Sequence, residues 1–103
     1  EYDAWTVACM YAGGVGNPNC PASPGPDSDF GMAPVISSRF GSKALFIGQK
    51  NGIAHCIDPA NGQTIWATES CPGGILGGYS WGISVDDSRV YVSCINYGHL
   101  PWV

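Results

Sequence analysis

"KALFIGQKNGIAHCIDPANGQTIWATES", residues 43–70, is the stretch that decides the fold. "KALFIGQ" (43–49) is an apolar run without clean alternation, as expected of a buried strand. Asn51-Gly52 between two apolar runs is a hairpin signal. "IAHCID" (53–58) is the returning strand, and "PANG" (59–62) is a second tight turn. "QTIWATES" (63–70) alternates, with Ile65 and Ala67 on one side and Thr64, Trp66 and Thr68 on the other. Upstream, "APVISS" (33–38) is strand-like and "RFGS" is a turn. Ala33 to Ser70 therefore reads as four short strands in one antiparallel meander, the size of a propeller blade.

Downstream the pattern starts again. "YSWGISV" (79–85) is strand-like, "DDS" turns, and "RVYVSCI" (89–95) is a strand. "ALFIGQKNGIAHCID" echoes weakly in "GISVDDSRVYVSCIN", an internal repeat. "CPGGILGG" lacks the Lys and following helix of a phosphate loop and reads as the crossing between blades. "EYDAWTVA" (1–8) looks like a strand end, and residues 9–31 are a Gly/Pro/Asn-rich excursion. No stretch reads as a helix. The expected fold is all-β: a strand end and loop over 1–32, a complete antiparallel four-stranded blade over 33–70, and an inter-blade loop with part of a second blade over 71–103.

Composition agrees. The chain has 103 residues, room for one small domain, and only 12% are charged, about half the usual share. Fifteen Gly, eight Pro and twelve aromatic residues suit strands joined by turns. The net charge is −4, and the basic residues are Arg39, Lys43, Lys50 and Arg89 alone. That argues against nucleic acid and against anionic membrane surfaces as partners. No apolar run approaches a transmembrane length, and no signal peptide is evident. The first residue is Glu rather than Met, which leads us to expect a processed chain or a piece of a longer one.

Five cysteines, at 9, 20, 56, 71 and 94, suit an oxidising compartment. None forms a CxxC pair, and neither His55 nor His99 has zinc spacing. Cys9 and Cys20 flank a soft loop and are the expected bridge. The odd count leaves at least one sulfur unpaired or bonded to another chain. Cys56 and Cys94 fall in expected strands, where a buried thiol is the ordinary outcome.

"GPDSDFG", residues 25–31, spends two carboxylates where few charges are spent at all. Asp27 and Asp29 read either as an Asx-turn after Gly-Pro or as a pair facing one ion, since alternate residues of an extended segment point the same way. Lys50 reads as a solvated hairpin residue or a site cation, and Trp81 as a core aromatic in preference to part of a binding floor. His55 and His99 read as structural or exposed, and no spacing favours a hydrolase triad.

Asp58, Gly62 and Trp66 fit D-x-x-x-G-x-x-x-W, with Asp58 and Gly62 shaping a turn and Trp66 set to pack on a neighbouring blade. This resembles the tryptophan-docking motif of eight-bladed quinoprotein propellers, the alcohol dehydrogenases that use pyrroloquinoline quinone (PQQ). "NPNCPASPGPDSDFGMAPVI", "GQKNGIAHCIDPANGQTIW" and "GGILGGYSWGISVDDSRVYV" together look like the polyvinyl-alcohol dehydrogenase branch of that family. The resemblance implies a PQQ cofactor with Ca2+ or a lanthanide, a small alcohol or polyol substrate, and a secreted or periplasmic location. It implies Asp29 as the general base, Asp27 and Asp29 at the metal, and Lys50 on the quinone oxygens.

A family enzyme closes eight blades, and this chain supplies about one and a half. The expected partners are therefore further blades or copies of itself. A lone blade leaves edges and apolar faces bare and buries little. Two functions stay open: part of a PQQ-dependent alcohol dehydrogenase-like quinoprotein, or a non-catalytic, extracellular, self-assembling β-protein derived from blades that binds no cofactor. A carbohydrate- or protein-binding module rests only on the aromatics.

Overall fold

The computed structural model describes residues 28–39, 42–74 and 76–102, and they are all-β, with no helix among them. Strands β1 (Val35–Arg39), β2 (Ser42–Gly48), β3 (Ile53–Ile57) and β4 (Thr64–Glu69) form one antiparallel sheet in the order β1-β2-β3-β4. Strands β5 (Ile83–Val85) and β6 (Val90–Val92) form a second, two-stranded sheet. The two segments of the internal repeat thus each form an antiparallel hairpin.

Register decides what the core is. Phe46 pairs with Cys56, and Cys56 pairs with Trp66. Directly opposed residues share a face, so these three side chains line up across the sheet. Ala44, Phe46 and Cys56 are buried there, and Ile83, Val85 and Val90 of the second sheet pack against them. Phe46 is fully buried, with the Trp66 ring 6.1 Å away. Covering that ring contributes about 1.5–3 kcal/mol. The opposite face carries Leu45, Ile47, His55 and Ile57, all half-buried. Both faces of β2 are therefore apolar, which hides the alternation in residues 43–49 even though burial itself alternates.

The turns follow from their residues. Gln49 N donates to the Ile53 carbonyl (3.0 Å) and Gly52 N to the Gln49 carbonyl (2.9 Å), closing the β2–β3 hairpin over Lys50-Asn51-Gly52. Gly52 takes φ 84°, a left-handed conformation that glycine adopts without penalty. Between β3 and β4, Gly62 N reaches the Asp58 carbonyl (2.8 Å) and the Asp58 side chain accepts from Ala60 N (2.8 Å). Asp58 and Gly62 shape this turn as the motif requires. Trp66 lies on the face that carries the second sheet and lines an open groove with Val90 and Val92.

Residues 71–74 and 76–79 lie along the Lys50 turn between the two sheets. Cys71 is bonded to Cys94, and Gly78 pairs with Ile95 in an isolated bridge. Cys94 therefore differs from the expected buried thiol in a strand: β6 stops at Val92, and Cys94 is exposed and in a disulfide. Cys56 matches the expectation, a buried thiol in β3 outside that disulfide. The strand expected from Tyr79 begins only at Ile83, because Tyr79 is used as a core residue. It is fully buried, and its hydroxyl lies 2.6 Å from Ser70 Oγ. Cys9 and Cys20 lie outside the described residues.

Candidate functional site

Two sequence-selected residues, 21 positions apart, meet at one place. The Lys50 amide donates to the Asp29 carbonyl (2.9 Å), so the segment before β1 lies along the β2–β3 turn. Lys50 Nζ stands 3.8 Å from Asp29 Oδ2. Both side chains line a cleft of about 380 Å³ with Ser80, Trp81, Leu76 and Ile95. The Lys50 side chain is 20% exposed and that of Asp29 44%. Lys50 is thus mostly covered, unlike the solvated hairpin lysine that its local sequence suggests. At 3.8 Å with the carboxylate this open, the pair contributes at most about 1 kcal/mol to stability.

Glycines bring the cleft walls together. A Cβ on Gly78, whose φ is 69°, would overlap the Lys50 carbonyl. Gly74 N donates to that same carbonyl (3.1 Å), and Tyr79 N donates to the Gln49 carbonyl (3.2 Å). Gly74, Gly78 and Tyr79 therefore pack against the Lys50 turn, and Ser80 and Trp81 beyond them line the cleft with Lys50. Trp81 is 82% exposed, so the preference for a core aromatic is corrected: its indole belongs to the cleft rim. Tyr79, two residues earlier, takes the core position instead.

Asp27 lies outside the described residues. Among the described residues no three His, Cys, Asp or Glu side chains cluster as metal ligands. Asp29 alone supplies one carboxylate, whereas calcium takes six to eight oxygens. A calcium shell there would need further oxygens from carbonyls, water or other carboxylates. His55 is half-buried: its ring lies 5.5 Å from the Phe30 ring, and burial lowers its pKa below the usual value. Ser80, which also lines the cleft, is not among the residues that the sequence singles out. The signal for Ser80 was the glycine run ahead of it, which marks a close backbone approach.

Known proteins fit this picture. A polyvinylalcohol dehydrogenase of Sphingopyxis sp. (strain 113P3) is 40% identical over 98 residues, covering 84% of this chain and 15% of that protein. A polyvinylalcohol dehydrogenase of Pseudomonas sp. is 35% identical over 92 residues, covering 87% of this chain and 14% of that protein. This chain resembles one segment of a polyvinylalcohol dehydrogenase. The dehydrogenase family read from the docking motif and its neighbours is the family these relatives carry. The chain spans about one seventh of the length of either relative. No family model matches it, and no solved structure does. Among the described residues no helix is long and apolar enough to cross a membrane.

Proposed function

We propose that this chain supplies the base-bearing wall of a PQQ-dependent alcohol dehydrogenase-like site, acting on an alcohol or polyol. The observation that carries this reading is the meeting of Asp29, Lys50 and Trp81 at one cleft. A flat, anionic quinone needs a cation and an aromatic surface, and Lys50 and Trp81 are of those types. Bound there, PQQ would supply the two-electron chemistry of alcohol oxidation. Asp29, open to solvent on one side, takes the hydroxyl proton as general base. Lys50 holds negative oxygens by charge-assisted hydrogen bonds. A metal, calcium or a lanthanide, would draw on Asp29 and on Asp27. The relatives' name makes a secondary polyol the first substrate to try. The Cys71–Cys94 disulfide fits a periplasmic or extracellular site of action.

The test adds PQQ, calcium and a polyol to the chain and follows reduction of an artificial dye. Asp29→Asn is expected to abolish the rate while leaving PQQ binding in place. Lys50→Ala is expected to weaken PQQ binding itself. An Asp29→Asn variant as fast as the unsubstituted chain rejects the assignment.

One observation favours the second reading, a self-assembling structural protein. Ile36 and Ile65 are 61% and 58% exposed on the first sheet, an apolar surface of the kind that mediates association. Light scattering separates the two, since a strictly monomeric species rejects self-assembly.

A further inference from the structure

Gln49 borders the cleft without lining it and takes part in no step above. Its side chain is engaged at both ends. Nε2 donates to the Ser28 carbonyl at 2.6 Å. Oε1 accepts from Asn51 Nδ2 at 3.0 Å and lies 3.1 Å from His55 Nε2. An amide oxygen only accepts, so His55 carries a proton on Nε2 in this contact. The Gln49 backbone carbonyl accepts from Gly52 N at 2.9 Å and Tyr79 N at 3.2 Å.

The three segments that build the cleft therefore converge on one residue. Ser28 precedes Asp29, Lys50 follows Gln49, and Tyr79 stands two residues before Trp81. Asp29 is bracketed more closely still. On one side the Ser28 carbonyl is held by the Gln49 amide. On the other, the Phe30 ring rests against His55, which Gln49 holds in turn. The Asp29 carbonyl takes the Lys50 amide proton one residue along. Bonds at two adjacent carbonyls restrain a rotation of the segment that either bond alone permits. The Asp29 side chain is 44% exposed, so the backbone that carries it helps to set its place.

We propose that Gln49 is the positioning residue of this cleft: its amide holds the Ser28–Asp29 backbone against the Lys50 turn and sets where the carboxylate stands relative to the ammonium. A displacement of about 1 Å in such a pair is worth about a hundredfold in rate. That consequence for alcohol oxidation rests on the quinoprotein reading; the positioning itself does not.

The experiment is amide hydrogen exchange by NMR on the 103-residue chain without cofactor. Gln49→Met removes all three side-chain bonds. Gln49→Glu keeps an acceptor for Asn51 and His55 but cannot donate to Ser28 as a carboxylate. The Lys50 amide is expected to exchange about tenfold faster in both variants, the size of losing one supporting hydrogen bond. The Tyr79 amide is expected to stay protected. Imidazole nitrogen shifts are expected to report a proton on His55 Nε2 in the Glu variant, whose carboxylate can still accept it. A role confined to bracing the hairpin predicts Lys50 protection intact in Gln49→Glu, and that result overturns the proposal. If Gln49→Met also loses Tyr79 protection, Gln49→Glu alone decides. PQQ binding to the unsubstituted chain is measured alongside. Faster Lys50 exchange keeps the positioning role whether or not PQQ binds; PQQ binding with unchanged exchange supports the quinoprotein reading and overturns the positioning role.

Discussion

Gly78 shows how a residue without a side chain can shape a site. Its φ of 69° is left-handed, and a Cβ there would overlap the Lys50 carbonyl. Two penalties act together, backbone strain of about 1–2 kcal/mol and a clash against a backbone that is hydrogen-bonded to Gly74. Gly78→Ala is therefore expected to cost about 2 kcal/mol or more, read as a lower urea midpoint. Gly62 also has positive φ, but no atom lies within 4 Å of its Cβ position. Gly62→Ala carries the strain without the clash and is expected to cost less than Gly78→Ala. Equal losses at the two positions would remove the case for close approach at Lys50.

Among the elements, the β5–β6 hairpin is the smallest and depends most on one side chain. Asp86 Oδ1 accepts from Ser88 N and Arg89 N, both at 2.7 Å, and Oδ2 accepts from the Tyr91 hydroxyl at 2.6 Å. The Tyr91 bond first, then the Ser88 amide, lower its pKa from 3.8 to about 2. A carboxylate whose folded pKa is depressed stabilises the fold above its unfolded pKa, and the contribution fades as pH falls through the folded value. The hairpin is thus expected to loosen between about pH 4 and pH 2, and Asp86→Asn is expected to flatten the stability slope in that window. Tyr91 works in the opposite sense: donating to Asp86 raises its pKa above 10.0, so its contribution is present below that pH and is lost as the phenol ionises. A slope unchanged by Asp86→Asn would place the acid sensitivity elsewhere.

At this scale the sequence was readable where chemistry is local. Asn51-Gly52, Asp58 with Gly62, and the second hairpin all came from turn residues acting within a few positions. Asp29 and Lys50 were singled out through the family resemblance, and the structure brings them to one cleft. What could not be read was which of two neighbouring aromatics goes inside. Tyr79 and Trp81 share a face by strand alternation, yet the chain is not yet a strand there. The partner of Cys71 was equally illegible, because 23 residues separate it from Cys94 and only the return of the second hairpin brings the two together.

Across the whole molecule, that bridge joins the segment leaving the first sheet to the segment leaving the second. It encloses β5, β6 and the loop that embraces the Lys50 turn. The second sheet has only two three-residue strands, and its hold on the first comes from Ile83, Val85 and Val90 against Phe46 and its neighbours. Three side chains on so short a sheet bury little relative to the chain entropy they must restrain. A loop of 23 residues closed by a disulfide removes about 3 kcal/mol of unfolded-state freedom in the chain-entropy model. Reduction, or Cys71→Ser with Cys94→Ser, is therefore expected to lower stability by about 3 kcal/mol and to act unevenly. Amides of Val85 and Val90 are expected to lose exchange protection first, while Phe46 and Cys56 in the four-stranded sheet keep theirs. The Lys50 amide is expected to stay protected too, because its bond runs to Asp29, outside the enclosed loop. Uniform loss across both sheets would mean that the two sheets unfold as one unit.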